Sequence, residues 1–147
     1  MRHFAIDPTT TPPGAAKGAR AQVRYRRGRR NHFSGIAAEE AVARLYLMRG
    51  ADVLGQRVRT PEGELDLIVR CGETLVFVEV KKRSRYNLND SPISRKQWDR
   101  LENAALHYMI SVQDETGVQP VCRFDVALMA PDGSVDFIEN ARSFDEQ

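Results

Sequence analysis

The chain holds 147 residues, 41% of them apolar and 29% charged, which suits one domain with a buried core. No apolar run approaches the roughly 18 residues that span a bilayer, which excludes an integral helical membrane protein. The net charge of +2 hides an asymmetry: residues 1–30 carry eight bases and one acid, and residues 31–147 carry 14 bases and 19 acids.

The N-terminal stretch from Thr9 to Gly18, with Pro12-Pro13-Gly14 at its centre, has almost no large apolar side chains. Residues 1–30 are therefore expected to form a disordered basic tail, and residues 31–147 a single domain. The tail ends in Arg24-Tyr25-Arg26-Arg27-Gly28-Arg29-Arg30. This cluster is either a solvated leader or a hold on a phosphate backbone. It has no apolar segment behind its charges, so no secretory signal is expected and the cytoplasm is the expected compartment. Cys71 and Cys122 form no CxxC or metal-like spacing, as suits inert thiols in a reducing environment.

Ser34 is placed to cap a helix over Gly35–Arg49, with Ala38, Val42, Leu45 and Met48 as its apolar stripe and Gly50 as its stop. Asp52–Arg59 reads as a strand ending in the turn Pro61-Glu62-Gly63. Glu64–Arg70 and Thr74–Lys81 read as a hairpin closed by Cys71-Gly72-Glu73. A polar loop, Lys82 to Pro92, leads to a second helix from about Ser94 to Val112, striped by Trp98, Leu101, Ala105, Tyr108 and Val112. Two strands follow, Val121–Met129 and Ser134–Ile138, around Pro131-Asp132-Gly133. The order αβββαββ predicts a mixed central sheet flanked by helices, an α/β fold.

The anomaly lies in the charges of the central strands. Strict alternation puts Leu65, Leu67 and Val69 on one face and Glu64, Asp66 and Ile68 on the other; likewise Val76, Val78 and Val80 oppose Phe77, Glu79 and Lys81. The run Leu75-Val76-Phe77-Val78-Glu79-Val80-Lys81 looks like a central strand, where an unpaired carboxylate costs several kcal/mol by order of magnitude. Either Glu79 simply pairs with Lys81, or Asp66, Glu79 and Lys81 form a site. Two close carboxylates repel, and a hard divalent cation, Mg²⁺ or Mn²⁺, relieves that repulsion while leaving positions for water and phosphate. Such an ion acidifies water and offsets the charge that grows on phosphorus in phosphodiester hydrolysis.

Gly63-Glu64-Leu65-Asp66-Leu67-Ile68 followed by Val76-Phe77-Val78-Glu79-Val80-Lys81 resembles the PD-(D/E)XK nucleases, which share the restriction-endonuclease-like fold. More narrowly, the chain resembles the YraN family, itself similar to archaeal Holliday-junction resolvases. The likeness runs from Gly35 to about Asn140 and includes Gly35-Ile36-Ala37-Ala38-Glu39, Arg95-Lys96-Gln97 and Arg123-Phe124-Asp125-Val126. It implies that Asp66 and Glu79 bind metal, with Lys81 completing the catalytic set, and that Glu39 adds a metal ligand from the first helix. The residues alone do not separate Glu39 from Glu40. The long basic tail departs from the usual short N-terminus of that family. The likeness also implies a homodimer, since resolvases cut symmetric substrates.

Nucleic-acid contacts are expected from Arg59, Lys82, Arg83, Arg85, Lys96 and Gln97, with Arg57 adding charge and Tyr86 a stacking face; a solvated loop and a charged helix start are the alternative. His3, His32 and His107 are dispersed, Ser84, Ser91 and Ser94 lack a histidine–acid arrangement, and there is no Gly-rich phosphate loop. Two functions remain. One is a metal-dependent endonuclease acting on DNA ahead of RNA, on branched or repair and recombination intermediates. The other is a non-catalytic nucleic-acid-binding or adaptor module on the same fold.

Overall fold

The computed structural model describes residues 2–6, 34–82 and 92–142. Along them run β1 (Arg2–Ile6), α1 (Ser34–Met48), β2 (Asp52–Thr60), β3 (Gly63–Cys71), β4 (Thr74–Lys82), α2 (Arg95–Thr116), β5 (Val121–Met129) and β6 (Val135–Arg142). The strands form a mixed sheet in the order β1-β6-β5-β4-β3-β2. The β4–β5 pair is parallel and the other pairs are antiparallel. A parallel pair needs a long crossover, which α2 provides. The expected αβββαββ order is thus present, with one strand added in front.

That added strand is an ordered exception within residues 1–30, a stretch expected to be mostly disordered. Arg2–Ile6 pairs antiparallel with β6, Phe4 standing opposite Phe137. Composition weighs only how much apolar surface a segment can bury. It misses the edge of β6, whose backbone N–H and C=O groups need partners and can recruit a short segment of almost any composition. The rest of the tail, residues 7–33, lies outside the described residues.

Each face of the sheet is covered by one helix. On one face Ala38, Val42, Ala43 and Tyr46 of α1 pack against Leu67, Val69, Val76, Val78, Ala127 and Phe137. On the other, Trp98, Leu101, Ala104 and Ala105 of α2 pack against Ile68, Phe77, Phe124, Val126 and Leu128. The centre of the sheet is buried on both sides, which is why β4 reads as a nearly continuous apolar run.

The first helix sits at a different rotation from the one its stripe predicts. Ala38 and Val42 are buried, but Met48 is 57% exposed and Tyr46 only 2%. The reason is polar: Tyr46 Oη donates to Asp125 Oδ2 at 2.8 Å across the interface, and Asp125 is almost fully buried. A buried carboxylate demands donors, and that demand outweighs the burial of one more methionine. The second helix begins where expected. Ser94 Oγ accepts from Gln97 N–H, and Ser94 N–H donates to Gln97 Oε1, a reciprocal capping box. It continues to Thr116, beyond the expected Val112.

Strict alternation also fails in β3. Leu67 and Val69 belong to the α1 face and Ile68 to the α2 face, as the period requires, but Leu65 packs with the α2 cluster. The strand changes face at Asp66. Among the described residues no helix is long and apolar enough to cross a membrane.

Candidate active site

The β3–β4 hairpin pairs regularly from Cys71 opposite Thr74 up to Leu67 opposite Val78, and there the ladder ends. In register, Asp66 and Glu79 come next. The backbone N–H of Val80 donates to Asp66 Oδ2 at 3.0 Å, so a side chain takes the bond that a neighbouring strand would make. On the other side of β3, Gln56 faces Leu67 and Val58 faces Leu65. Arg57, at the intervening position, has φ 50°, a left-handed conformation that costs a non-glycine residue of the order of 1 kcal/mol. The sheet is therefore irregular on both sides of Asp66, and the strands part there.

Glu79 sits in this opening, 7% exposed. Leu65, Asp66, Phe77, Leu101 and Phe124 line the crevice beside it. Glu79 Oε1 lies 3.3 Å from Lys81 Nζ, while Oε2 is buried with no hydrogen-bond partner. Burial and then the charge of Asp66 push the Glu79 carboxyl up to about 7, and Lys81 pulls it down. One lysine does not neutralise two carboxylates in so apolar a place.

The structure separates Glu39 from Glu40. Glu39, in the second turn of α1, has a side chain only 13% exposed, whereas Glu40 is exposed. Burial and then Asp66 raise the Glu39 carboxyl above its ordinary range, Arg57 pulls it down, and Glu64 adds a smaller push. Arg57 Nε stands 3.8 Å from Glu39 Oε2 and 3.3 Å from Glu64 Oε1. Asp66, Glu79 and Lys81 come together as the spacing predicts, and Glu39 approaches Asp66 from α1. Among the described residues no three His, Cys, Asp or Glu side chains already surround one ion position.

Three residues that spacing did not single out shape this corner. Arg57 bridges two of its acids, and Glu64 is the anchor of that bridge. Arg100 Nη1 donates to the Glu64 carbonyl at 3.0 Å, tying α2 to the start of β3. Arg100 also lies over Gly63, where a Cβ would meet its Nη1 at 2.8 Å. Glu64 and Gly63 stand in the quoted motif, so their neighbourhood could have been marked. Nothing in an arginine marks it for a positive φ.

Of the bases expected at a nucleic acid, Arg59 is exposed on β2 with Nε 3.8 Å from Glu64 Oε2. Lys82 is exposed at the end of β4, and Lys96 is exposed in the first turn of α2. Gln97 has a structural task, since its Oε1 closes the capping box. Arg83, Arg85 and Tyr86 lie outside the described residues.

A second polar cluster has a different character. Asp125 Oδ1 accepts from Arg123 Nε and from the Asn140 backbone N–H, both at 3.0 Å. Its Oδ2 accepts from Tyr46 Oη at 2.8 Å and from Arg123 Nη2 at 3.3 Å. Asn140 has φ 50° beside a register shift between β5 and β6. Every lone pair has a use, so this carboxylate is architectural, unlike the unsatisfied Glu79.

Fold and site together define an α/β domain with a partly unsatisfied carboxylate–lysine cluster where two central strands part. Residues 38–129 match the family described as Uncharacterised protein family UPF0102, and the chain belongs to that family. It is 42% identical over 120 residues to a UPF0102 protein of Dinoroseobacter shibae, covering 82% of this chain and 88% of that one. A UPF0102 protein of Cereibacter sphaeroides is 40% identical over 114 residues, covering 78% and 96%. One of Nitrosospira multiformis is 40% identical over 107 residues, covering 69% and 87%. The matched segment contains Glu39, Asp66, Glu79 and Lys81.

Proposed function

We propose that the protein is a divalent-metal-dependent endonuclease of the PD-(D/E)XK kind, hydrolysing phosphodiester bonds in DNA ahead of RNA, with branched repair or recombination intermediates as the substrate class. The observation that carries this reading is Glu79: a buried carboxyl raised to about 7, with one oxygen lacking any partner, beside a second carboxylate and a lysine. A structural ion pair would satisfy its members; this cluster leaves a cation's worth of charge unmet.

Asp66 and Glu79, joined by Glu39, offer hard oxygen donors on two strands and a helix, a set that fits Mg²⁺ or Mn²⁺. When bound, such an ion acidifies water and offsets charge on the phosphate. Asp66 is held in place by the Val80 amide. Lys81, 3.3 Å from Glu79, directs its ammonium to the charge that develops on the phosphate oxygens and orients the attacking water. Leu65, Phe77, Leu101 and Phe124 keep bulk water from the carboxylates. Arg59, Lys82 and Lys96, with Arg83 and Arg85 next in the chain after β4, meet the phosphate backbone, while the Gln97 backbone N–H and Oε1 are both committed to the helix cap. A symmetric junction calls for a homodimer, and the cytoplasm is where such a substrate is met.

Purified protein incubated with Mg²⁺ or Mn²⁺ and labelled single-stranded, duplex, flap and four-way-junction DNA tests the reading, with Lys81→Ala alongside. Cleavage that disappears in the variant and with chelator supports the nuclease. Binding to DNA without cleavage of any substrate replaces it with the binding-module reading.

A further inference from the structure

We propose that Arg57 is a positioning residue that serves as the built-in counter-cation of the metal-free site and sets its divalent affinity by competing for Glu39. The inference rests on the metal-dependent reading above and deepens it.

Three observations carry it. Arg57 Nε lies between two acids, 3.3 Å from Glu64 Oε1 and 3.8 Å from Glu39 Oε2. Its backbone is held at φ 50°, a conformation an arginine does not choose for itself, at the register position beside Asp66 where β2 and β3 leave a gap in their pairing. Strain of this sort persists only where the surroundings enforce it, and it aims the guanidinium back over the sheet's irregular corner. The side chain is also 48% exposed, so it has room to swing away.

The electrostatics follow directly. Without a cation, Glu39, Glu64, Asp66 and Glu79 crowd one corner, and Arg57 together with Lys81 offsets part of their repulsion. A dication needs Glu39 released from Arg57, and it is repelled by the guanidinium that remains nearby. Arg57 therefore stabilises the empty corner and weakens divalent binding; Glu64 is the anchor to which it withdraws.

The test is Mn²⁺ binding by calorimetry at about pH 8, in the absence of nucleic acid, for the full chain and for Arg57→Asn, Arg57→Lys and Glu79→Gln. Asparagine tolerates a positive φ and removes the charge. Should Arg57→Asn not fold, Arg57→Gly gives the same reading without strain. Mn²⁺ should bind Arg57→Asn about tenfold more tightly, the order expected when one unit charge close to a dication is removed at a half-exposed position. Arg57→Lys, which keeps the charge, should stay within about twofold of wild type, and this contrast with the tighter-binding Arg57→Asn is what a purely structural arginine would not produce. Unchanged or weaker binding by Arg57→Asn, with binding abolished in Glu79→Gln, overturns the role of Arg57 and leaves the metal site standing. No Mn²⁺ binding by the wild-type chain or any variant removes the metal reading, and this inference with it.

Discussion

The backbone N–H of Val80 donates to the carboxylate of Asp66 at 3.0 Å, just beyond the last regular pair of β3 and β4. A strand partner has been exchanged for a side chain at the point where the hairpin opens. That exchange fixes Asp66 against the main chain of β4 and brings it beside the buried Glu79.

The first prediction concerns pH. The Glu79 carboxyl is raised to about 7 from an ordinary 4.5, so the folded protein holds this proton more tightly than the unfolded chain. Its contribution to stability is complete below about 4.5 and is lost as pH rises through 7, a change of about 3 kcal/mol by linkage. Thermal melts of metal-free protein from pH 5 to pH 8 should show a falling midpoint. A flat profile over that window would place the charge of Glu79 outside the buried cluster.

Glu79→Gln should remove that slope. At about pH 8 the metal-free variant should be more stable than wild type by about 1–2 kcal/mol, because a neutral amide escapes both burial and Asp66. If Glu79 merely paired with Lys81, the same substitution would lower the melting point. Adding Mn²⁺ should stabilise the wild type and leave the variant unmoved.

Lys81→Ala should separate binding from turnover. Mn²⁺ affinity is expected to hold or rise as a neighbouring positive charge disappears, while DNA cleavage falls by at least about a hundredfold. Parallel loss of both would make the lysine a structural member of the site.

Tyr46→Phe tests the architectural cluster. Losing the 2.8 Å bond to a carboxylate that is 1% exposed should cost about 1–3 kcal/mol. Mn²⁺ affinity should be unchanged, since Asp125 takes no part in the cluster around Asp66 and Glu79.

For nucleic acid, Lys96→Ala should reduce the slope of log affinity against log salt by about one unit, as for the loss of one phosphate contact. Gln97→Ala should show itself first as lost stability, about 0.5–1 kcal/mol, because its Oε1 holds the helix cap. Fluorescence titrations across a salt series together with thermal melts distinguish the two.

The periodic and local parts of this molecule could be read from residues alone. The sheet-forming segments of the body, both helices, the hairpin turn and the cluster of Asp66, Glu79 and Lys81 follow from alternation and from an unexplained charge in an apolar run. What could not be read were departures from periodicity and partners distant in the chain. Leu65 lies on the opposite face from Leu67 because β3 changes face at Asp66, and strict alternation assumes that a strand does not turn. Tyr46 and Asp125 are 79 positions apart, and only the assembled sheet shows that their bond sets the rotation of α1. Arg2–Ile6 pairs through its backbone, which composition does not register.

The irregularity of β2 has a consequence for the protein's solubility. Among the described residues the sheet ends in β1 on one side and β2 on the other, so the nine residues of β2 have no described strand on their outer side. That margin does not lie flat. The register shifts between Val53 and Gly55, a Cβ on Gly55 would run into Val58 Cγ2 at 2.6 Å, and Arg57 turns left-handed two residues before the exposed Arg59. A twisted, charged border of this kind is a poor template for cross-strand association. The distortion that delivers Arg57 to the acids also makes β2 a poor edge for strand addition, and smoothing β2 to ease the site would raise its tendency to pair with a strand of another molecule.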